Sequence, residues 1–504
     1  MNSKISTPIC DFLRGYAQSD TVRFHMPGHK GRMPGLEHYS TKVKREDPLH
    51  EENVSVIGYD HDITEIYGAD SLYEASGIIA QSEKNASDLF GSGAAFYSTE
   101  GSSQCIKAML TLACMYGRKT ADRPVVLAAR NVHKAFISAC ALADLDVRWC
   151  LPEHPEYSVC QCRISAESIR KAILSMPEKP CAVYITSPDY TGSLQDVHSI
   201  AQAAHEFDIP LLVDNAHGAY LHFLEEPVHP LDLGADMCCD SAHKTLPALT
   251  GCACLHISRN APEKFIKYAR QALSMFGSTS PSYLLLESLD RTNRVLSSES
   301  FRTQLKEAVS RTQQCCKELS EAGWQLSEPL KFFKQEPLKI TVCTEGSGYT
   351  GIQLASILRR NKIECEYSDP DLLVLMPSVN TTESDFEKLV SCMRSIPVLQ
   401  HGNSESDNVY TKSKLSSITY PVQAMSIREA AFSPSVTLPV EKCEGRVCAD
   451  MVLSCPPAIP IAVCGEIITK EMIGMLKHYG ITHTNVCQNM IHIENQWCQH
   501  PEPG

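Results

Sequence analysis

Between residues 124 and 257 the chain alternates short apolar runs with stretches of helical spacing. Pro124 to Ala129, Cys181 to Thr186, Pro210 to Asn215 and Cys252 to Ile257 are short apolar runs and read as strands. Ile106, Met109, Leu110 and Ala113 fall at i, i+3, i+4 and i+7, the spacing of one helix face, and Ala201 to Phe207 lies in another such segment. Strand–helix alternation predicts an α/β layer built on a large, mostly parallel sheet. Ligands of such sheets bind at the carboxyl ends of the strands.

After about residue 290 the pattern changes. Phe301 to Gly323 reads as a long amphipathic helix. Lys339 to Cys343 and Leu372 to Met376 read as strands flanking a helix around Ile352 to Arg360. The expected organisation is an N-terminal segment (1–70) that contributes to a dimer and its site, a large domain (71–290), a smaller α/β domain (291–400), a polar linker (401–417) and a C-terminal α+β domain (418–504). At 504 residues there is ample core for about three domains.

Bulk properties exclude some functions. The net charge of -13 argues against a nucleic-acid partner. No run of about 18 apolar residues exists, so no membrane helix is expected. The start, Met1-Asn2-Ser3-Lys4-Ile5, has no apolar signal region, which points to the cytoplasm. The 23 cysteines would then stay reduced, and none stands in paired Cys-x-x-Cys arms with zinc spacing, so no metal is expected. Cys181, Cys238 and Cys252 sit in apolar runs and read as small core hydrophobes.

Two motifs carry chemistry. Val213-Asp214-Asn215-Ala216-His217-Gly218 ends an apolar strand, and Asp240-Ser241-Ala242-His243-Lys244-Thr245 follows, with Lys244 thirty residues after Asp214. Alone, a lysine there is usually a solvated loop residue and a strand-end aspartate a helix cap. Together, in this order, they have the layout of a pyridoxal 5'-phosphate site. Lys244 would bind the cofactor covalently, Asp214 would keep the pyridine nitrogen protonated, and Ser241 and His243 would hold the phosphate. Gly101-Ser102-Ser103 opens the Ile106 helix and can offer backbone N–H groups to a phosphate, although an N-cap is the plainer reading. His133 opens a further helix, where it can stack on the ring.

Three further runs extend the pattern: Phe24-His25-Met26-Pro27-Gly28-His29-Lys30-Gly31, Asp62-Ile63-Thr64-Glu65 with Asp70 beyond, and Ser278-Thr279-Ser280-Pro281. With them the chain resembles the Orn/Lys/Arg decarboxylases, pyridoxal-phosphate enzymes of the aspartate-aminotransferase fold (fold type I), in a short form without a wing domain. The resemblance implies that Lys244 is the cofactor-bearing lysine, Asp214 the pyridine partner, His217 the histidine beside it and His133 the stacking histidine. It makes Ser102, Ser103, Ser241 and His243 phosphate ligands. It implies that Ser278 and Thr279 reach the phosphate of a neighbouring subunit, so that the enzyme works as a homodimer or a multiple of dimers. Three places depart from the family pattern: Asn215 replaces a usual glutamate, Asp189 a threonine in Pro188-Asp189-Tyr190-Thr191-Gly192, and Cys455-Pro456-Pro457-Ala458-Ile459-Pro460 with Cys464-Gly465-Glu466 a Tyr-Pro-Pro-Gly-Ile-Pro and Pro-Gly-Glu.

The resemblance implies decarboxylation of a basic amino acid, arginine to agmatine first, with lysine and ornithine as alternatives. The substrate cation needs a carboxylate, and Asp62, Glu65, Asp70 and Glu466 are the candidates. Two rivals stand beside this reading. An aminotransferase or other lyase of the same fold would need an arginine clamp for the α-carboxylate, and no clear motif supplies one. A non-catalytic binding protein fits poorly with intact Lys244, Asp214 and His217.

Overall fold

The computed structural model describes residues 22–24, 65, 69–117, 123–152, 160–327, 334–398, 422–451, 454–455 and 459–488. A seven-stranded sheet runs in the order Ala94–Ser98, Ala253–Ile257, Met237–Asp240, Leu211–Asp214, Ala182–Thr186, Val125–Ala129, Asp146–Cys150. All neighbours pair in parallel except at Ala253–Ile257, which runs antiparallel to both of its partners. The four strands read from apolar runs are present with ends within one residue of the expectation.

Three strands escaped the pattern. Ala94–Ser98 is small and polar-ended, Met237–Asp240 has only four residues, and Asp146–Cys150 sits at the sheet edge with Asp146 and Arg148 in it. An edge strand is half solvated, so its charges hide it from an apolar-run search.

Successive residues of the central strands alternate between two cores. Val126, Ala128, Tyr184, Leu212, Met237 and Cys239 join the core under the Ser102–Gly117, Lys134–Ala143 and Glu263–Ser274 helices. Leu127, Val183, Ile185, Leu211, Val213 and Cys238 join the core under Ala166–Ser175 and Val197–His205. Both faces are buried, which is why these strands read as continuous apolar runs. The Ser102–Gly117 helix is buried at eleven of its sixteen positions, as a helix covered on several sides must be.

The Glu299–Glu321 helix leads to a second sheet, Gln325–Leu326, Ile340–Cys343, Leu372–Leu375, Tyr367–Ser368, flanked by the Gly351–Arg360 helix. Its apolar core contains Trp324, Leu354, Leu358, Leu375 and Phe386. Lys334–Gln335 pairs instead with Ser193–Leu194 of the large unit, and Thr341 donates from Oγ1 to Thr191 O at 2.8 Å. These bonds seat the start of the second unit beside the large sheet. Ser435–Pro439 pairs with His483–Cys487, with the Lys470–His478 helix between them in sequence. The expected linker falls outside the described residues. No helix among the described residues is long and apolar enough to cross a membrane, and the described cysteines form no disulfide.

Candidate active site

The site lies at the carboxyl edge of the large sheet. Asp214 is the last residue of its strand, and Lys244 sits in the short Ala242–Thr245 helix just after the Met237–Asp240 strand. Both positions follow from parallel topology, which places these strand ends on one edge.

Asp214 is buried, and its partners are modest. Oδ1 accepts from Ala216 N at 3.2 Å and from Cys239 Sγ at 3.6 Å, and Oδ2 from Tyr184 OH at 3.5 Å. Burial pushes its carboxyl above the ordinary range, and the nearby Lys244 charge pulls the other way. Lys244 Nζ lies 2.9 Å from His217 Nε2. Burial lowers the Lys244 ammonium, while Asp214 and Glu366 oppose that shift. Burial, then Lys244 and Lys339, push His217 well below the usual histidine range. Both side chains are therefore biased towards their neutral forms.

The phosphate-side residues also converge. Ser241 donates from Oγ to Ser102 Oγ at 2.8 Å, which joins the lysine segment to the first turn of the Ser102–Gly117 helix. Gly101 holds φ +71° immediately before that helix, and a Cβ there would meet nothing within 4 Å. A left-handed residue beside open space at a helix N-terminus is a cradle for an anion. Ser103 is half-buried in the same turn. His133 caps its helix, Nδ1 accepting from Ala135 N at 3.1 Å, and burial with Lys244 and Lys134 brings it down to about 3. His243 turns Nδ1 to Cys252 O at 3.0 Å, so Nδ1 carries the proton. Ser278 and Thr279 are exposed at the surface of this chain.

The acidic candidates for the substrate cation fare differently. Asp62 lies outside the described residues. Glu65 is exposed and accepts from Ser71 Oγ at 2.8 Å. Asp70 accepts backbone N–H bonds from Ser71, Ser76, Gly77, Ile79 and Ala80, so it organises the entry to the Ile78–Leu89 helix. Burial raises its carboxyl, but those bonds outweigh it and hold it below the usual value. Glu466 is fully buried. Its Oε2 pairs with Arg130 Nη2 at 3.1 Å and accepts from Val463 N at 2.7 Å. Asp70 and Glu466 thus have structural employment that their sequence context did not signal. Cys455 lies on a two-residue strand, and 456–458 lie outside the described residues.

Three contributors were missed from sequence. Lys339 reaches His217 Nδ1 at 3.1 Å, Tyr190 packs edge-on to His217 with centroids 4.8 Å apart, and Glu366 accepts from Tyr190 OH at 2.6 Å. Lys339 and Glu366 come from the second unit, so only tertiary packing brings them here. Tyr190 stood inside a quoted motif, and its position beside His217 was the available signal.

The observed groups fit pyridoxal phosphate. A buried, under-partnered carboxylate suits a protonated ring nitrogen, the open cradle at Gly101 with Ser102 and Ser241 suits a phosphate, and a desolvated lysine suits carbonyl chemistry. Fold and site together define a fold type I pyridoxal-phosphate enzyme scaffold. Residues 7–339 match the family model for the Orn/Lys/Arg decarboxylase major domain. The chain is 30% identical to an arginine decarboxylase of Bacillus anthracis over 94% of this chain and 93% of that one. Among solved structures it is similar to the lysine decarboxylase LdcF of Francisella novicida (TM-score 0.72, 19% identity, 96% of this chain and 81% of that one). It is also similar to the constitutive lysine decarboxylase of Escherichia coli (TM-score 0.67, 19% identity, 96% and 82%). The chain belongs to the Orn/Lys/Arg decarboxylase family and is an amino acid decarboxylase.

Proposed function

We propose that the chain binds pyridoxal 5'-phosphate on Lys244 and decarboxylates a basic amino acid, arginine to agmatine and CO2. The observation that carries the reading is the buried group of Asp214, His217 and Lys244 at one sheet edge, with Ser241 of the lysine segment bonded to Ser102 at the helix start. Relatives named arginine decarboxylase support arginine as the first substrate. Lysine and ornithine stay open.

Bound cofactor supplies an electron sink for the pair left when the Cα–carboxylate bond breaks. The protein supplies the rest. Asp214, itself shielded from water, would keep a proton on the ring nitrogen. The Ser102–Gly117 helix start, with Ser102, Ser103 and Ser241, binds the phosphate. His133 would cover the ring, and His243 would line the phosphate side. Because His243 Nδ1 is committed to Cys252 O, its Nε2 is an acceptor; Lys244 Nζ, uncharged at rest, takes a proton from the incoming substrate ammonium and is then the donor of the proton that replaces the carboxylate at Cα.

Burying a substrate cation needs a carboxylate. Glu366 is a further candidate beside Asp62 and Glu65, since its charge acts on both Lys244 and His243. Exposed Ser278 and Thr279 would complete the phosphate site of a second subunit in a cytoplasmic homodimer. Mixing a Lys244→Ala chain with a Thr279→Ala chain should then restore activity through one intact site. No recovery despite proven subunit exchange counts against sharing.

The decisive assay incubates the enzyme with arginine, lysine and ornithine and identifies products by mass. Agmatine with CO2 is expected. Keto-acid formation would favour an aminotransferase, and decarboxylation of a neutral amino acid alone would reject the basic substrate.

A further inference from the structure

His217 meets a lysine at each ring nitrogen. Lys244 Nζ is 2.9 Å from Nε2, and Lys339 Nζ is 3.1 Å from Nδ1. A neutral imidazole has one donor nitrogen and one acceptor, and an ammonium can only donate. While His217 is neutral, therefore, only one of the two lysines can be an ammonium.

The surroundings decide which one. The Lys339 side chain is fully buried, and Glu336 Oε1 lies 3.3 Å from its Nζ. Glu336 Oε2 accepts from Leu338 N at 2.9 Å and from Tyr220 OH. The Lys339 ammonium also stands 5.9 Å from the centre of the Tyr190 ring, within reach of a cation–π contact. Lys244 makes no ion pair among the described residues; the charges acting on it include Asp214, Glu366 and Lys339. Lys339 thus has the local anion, and it donates to Nδ1.

We infer that the Lys339–Glu336 pair fixes the His217 proton on Nε2 and through it holds Lys244 Nζ as an uncharged amine. Nε2–H then donates to the Lys244 lone pair, which an ammonium would not offer. An uncharged amine is the form that condenses with a carbonyl. Lys339 is a positioning residue: it acts on Lys244 through the imidazole. Lys244, Lys339 and Tyr190 contact His217, and the Lys244, Lys339, His133 and His243 charges all act against its imidazolium form.

The second unit is built to deliver this lysine. Glu336 N donates to Gly192 O at 2.8 Å, and Gln335 Nε2 donates to Thr191 O at 2.7 Å. Gly192 has φ +95°, and a Cβ there would press on Gln335 Nε2 at 2.4 Å and on Lys339 Cβ and Cδ at 3.2 Å. The glycine therefore leaves room for the lysine stem.

This inference rests on Lys244 being the cofactor lysine. The test uses the full-length protein stripped of cofactor. The rate of pyridoxal-phosphate capture is followed against pH, and the His217 tautomer is read by 15N NMR with histidine labelling. Lys339→Met is compared with Lys339→Arg and with the charge-neutral pair Lys339→Met/Glu336→Gln, which keeps the test alive if the single variant does not fold. The midpoint should move to higher pH in Lys339→Met and in the pair, slowing capture at neutral pH by about tenfold for each unit of rise. The single Nε2–H signature should be lost, and Lys339→Arg should return the midpoint towards wild type. An unmoved midpoint in the folded pair overturns the inference. So does a rise in KM for the amino acid alone, which would make Lys339 a substrate contact. Borohydride reduction that labels a lysine other than Lys244 defeats the underlying reading instead, an outcome distinct from an unmoved midpoint.

Discussion

Asp214 and Asp240 end neighbouring parallel strands and are both buried, yet the protein treats them in opposite ways. Strand parity sends them to opposite faces of the sheet. Asp214 shares its side with Leu212, Tyr184 and Cys239, and Asp240 shares its side with Cys238. Asp240 is fully matched: Asn215 Nδ2 donates to Oδ1 at 2.6 Å, and His229 and His256 bring Nε2 to 3.1 and 3.3 Å from Oδ2. Burial pushes Asp240 up, but the two histidines outweigh it and hold the carboxyl well below its usual range. Asp214 has only long contacts, and burial outweighs the Lys244 charge there. A matched buried carboxylate is structure. One left short of partners is a site prepared for a cation that arrives from outside.

Breaking Asp214 should have the largest effect on turnover and little on the fold. Asp214→Ala is expected to lower turnover by about three orders of magnitude, since an electrostatic contribution to a developing charge is commonly worth several kcal/mol. Some cofactor should remain, visible in the absorption spectrum. Near wild-type turnover would reject the pyridine role. Breaking Asp240 should do the reverse. Asp240→Ala leaves His229 and Asn215 without their acceptor, at a cost of about 3 kcal/mol read from denaturant midpoints.

The pH dependence sharpens the contrast because the two shifts have opposite signs. Asp240 is depressed on folding, so its stabilisation is present above the usual aspartate value of 3.8 and is lost as pH falls through the lower folded value. Asp214 is raised on folding, so its contribution is present below 3.8 and is lost as pH rises through the higher folded value. The cofactor-free Asp214→Asn protein should therefore be the more stable of the pair with wild type at neutral pH, and the gap should close near pH 4. The Asp240→Asn deficit should instead shrink as the medium becomes acid. Parallel stability curves for the two variants would show that the aspartates do not differ as described.

Much of this was legible in the sequence, and the exceptions share a cause. The alternation from 124 to 257 foretold the sheet and the strand that ends at Asp214, but the short Met237–Asp240 strand ahead of Lys244 gave no signal of its own. Local sequence could not show that Asp70 is consumed by five backbone N–H groups or that Glu466 is paired with Arg130, because those partners depend on turn geometry and on contacts hundreds of residues apart. Lys339 was read only as the start of a strand. Its role depends on a buried cation being set against His217 across the interface of two units. The buried group of His229, Cys238 and Asp240, whose donor atoms lie within 4.8 Å of one another, likewise has no motif spacing to announce it.

The smallest effect concerns the residue that links the two aspartates. Asn215 stands where the family usually has glutamate, and the geometry explains the departure. Its Nδ2 donates to Asp240, so a carboxylate here would face another carboxylate. Asn215→Asp keeps the shape and removes the donor. Two buried carboxylates at hydrogen-bond distance cannot both ionise cheaply, and one must take a proton. The expected cost is about 1–2 kcal/mol at neutral pH, recovered in acid as the shared proton binds. Turnover per folded molecule should change far less than in Asp214→Ala, because the side chain of Asn215 points to the structural aspartate and not to the cofactor edge. If Asn215→Asp instead abolishes turnover while leaving stability intact, the two aspartates are coupled through Asn215, and the division between a structural and a functional carboxylate fails.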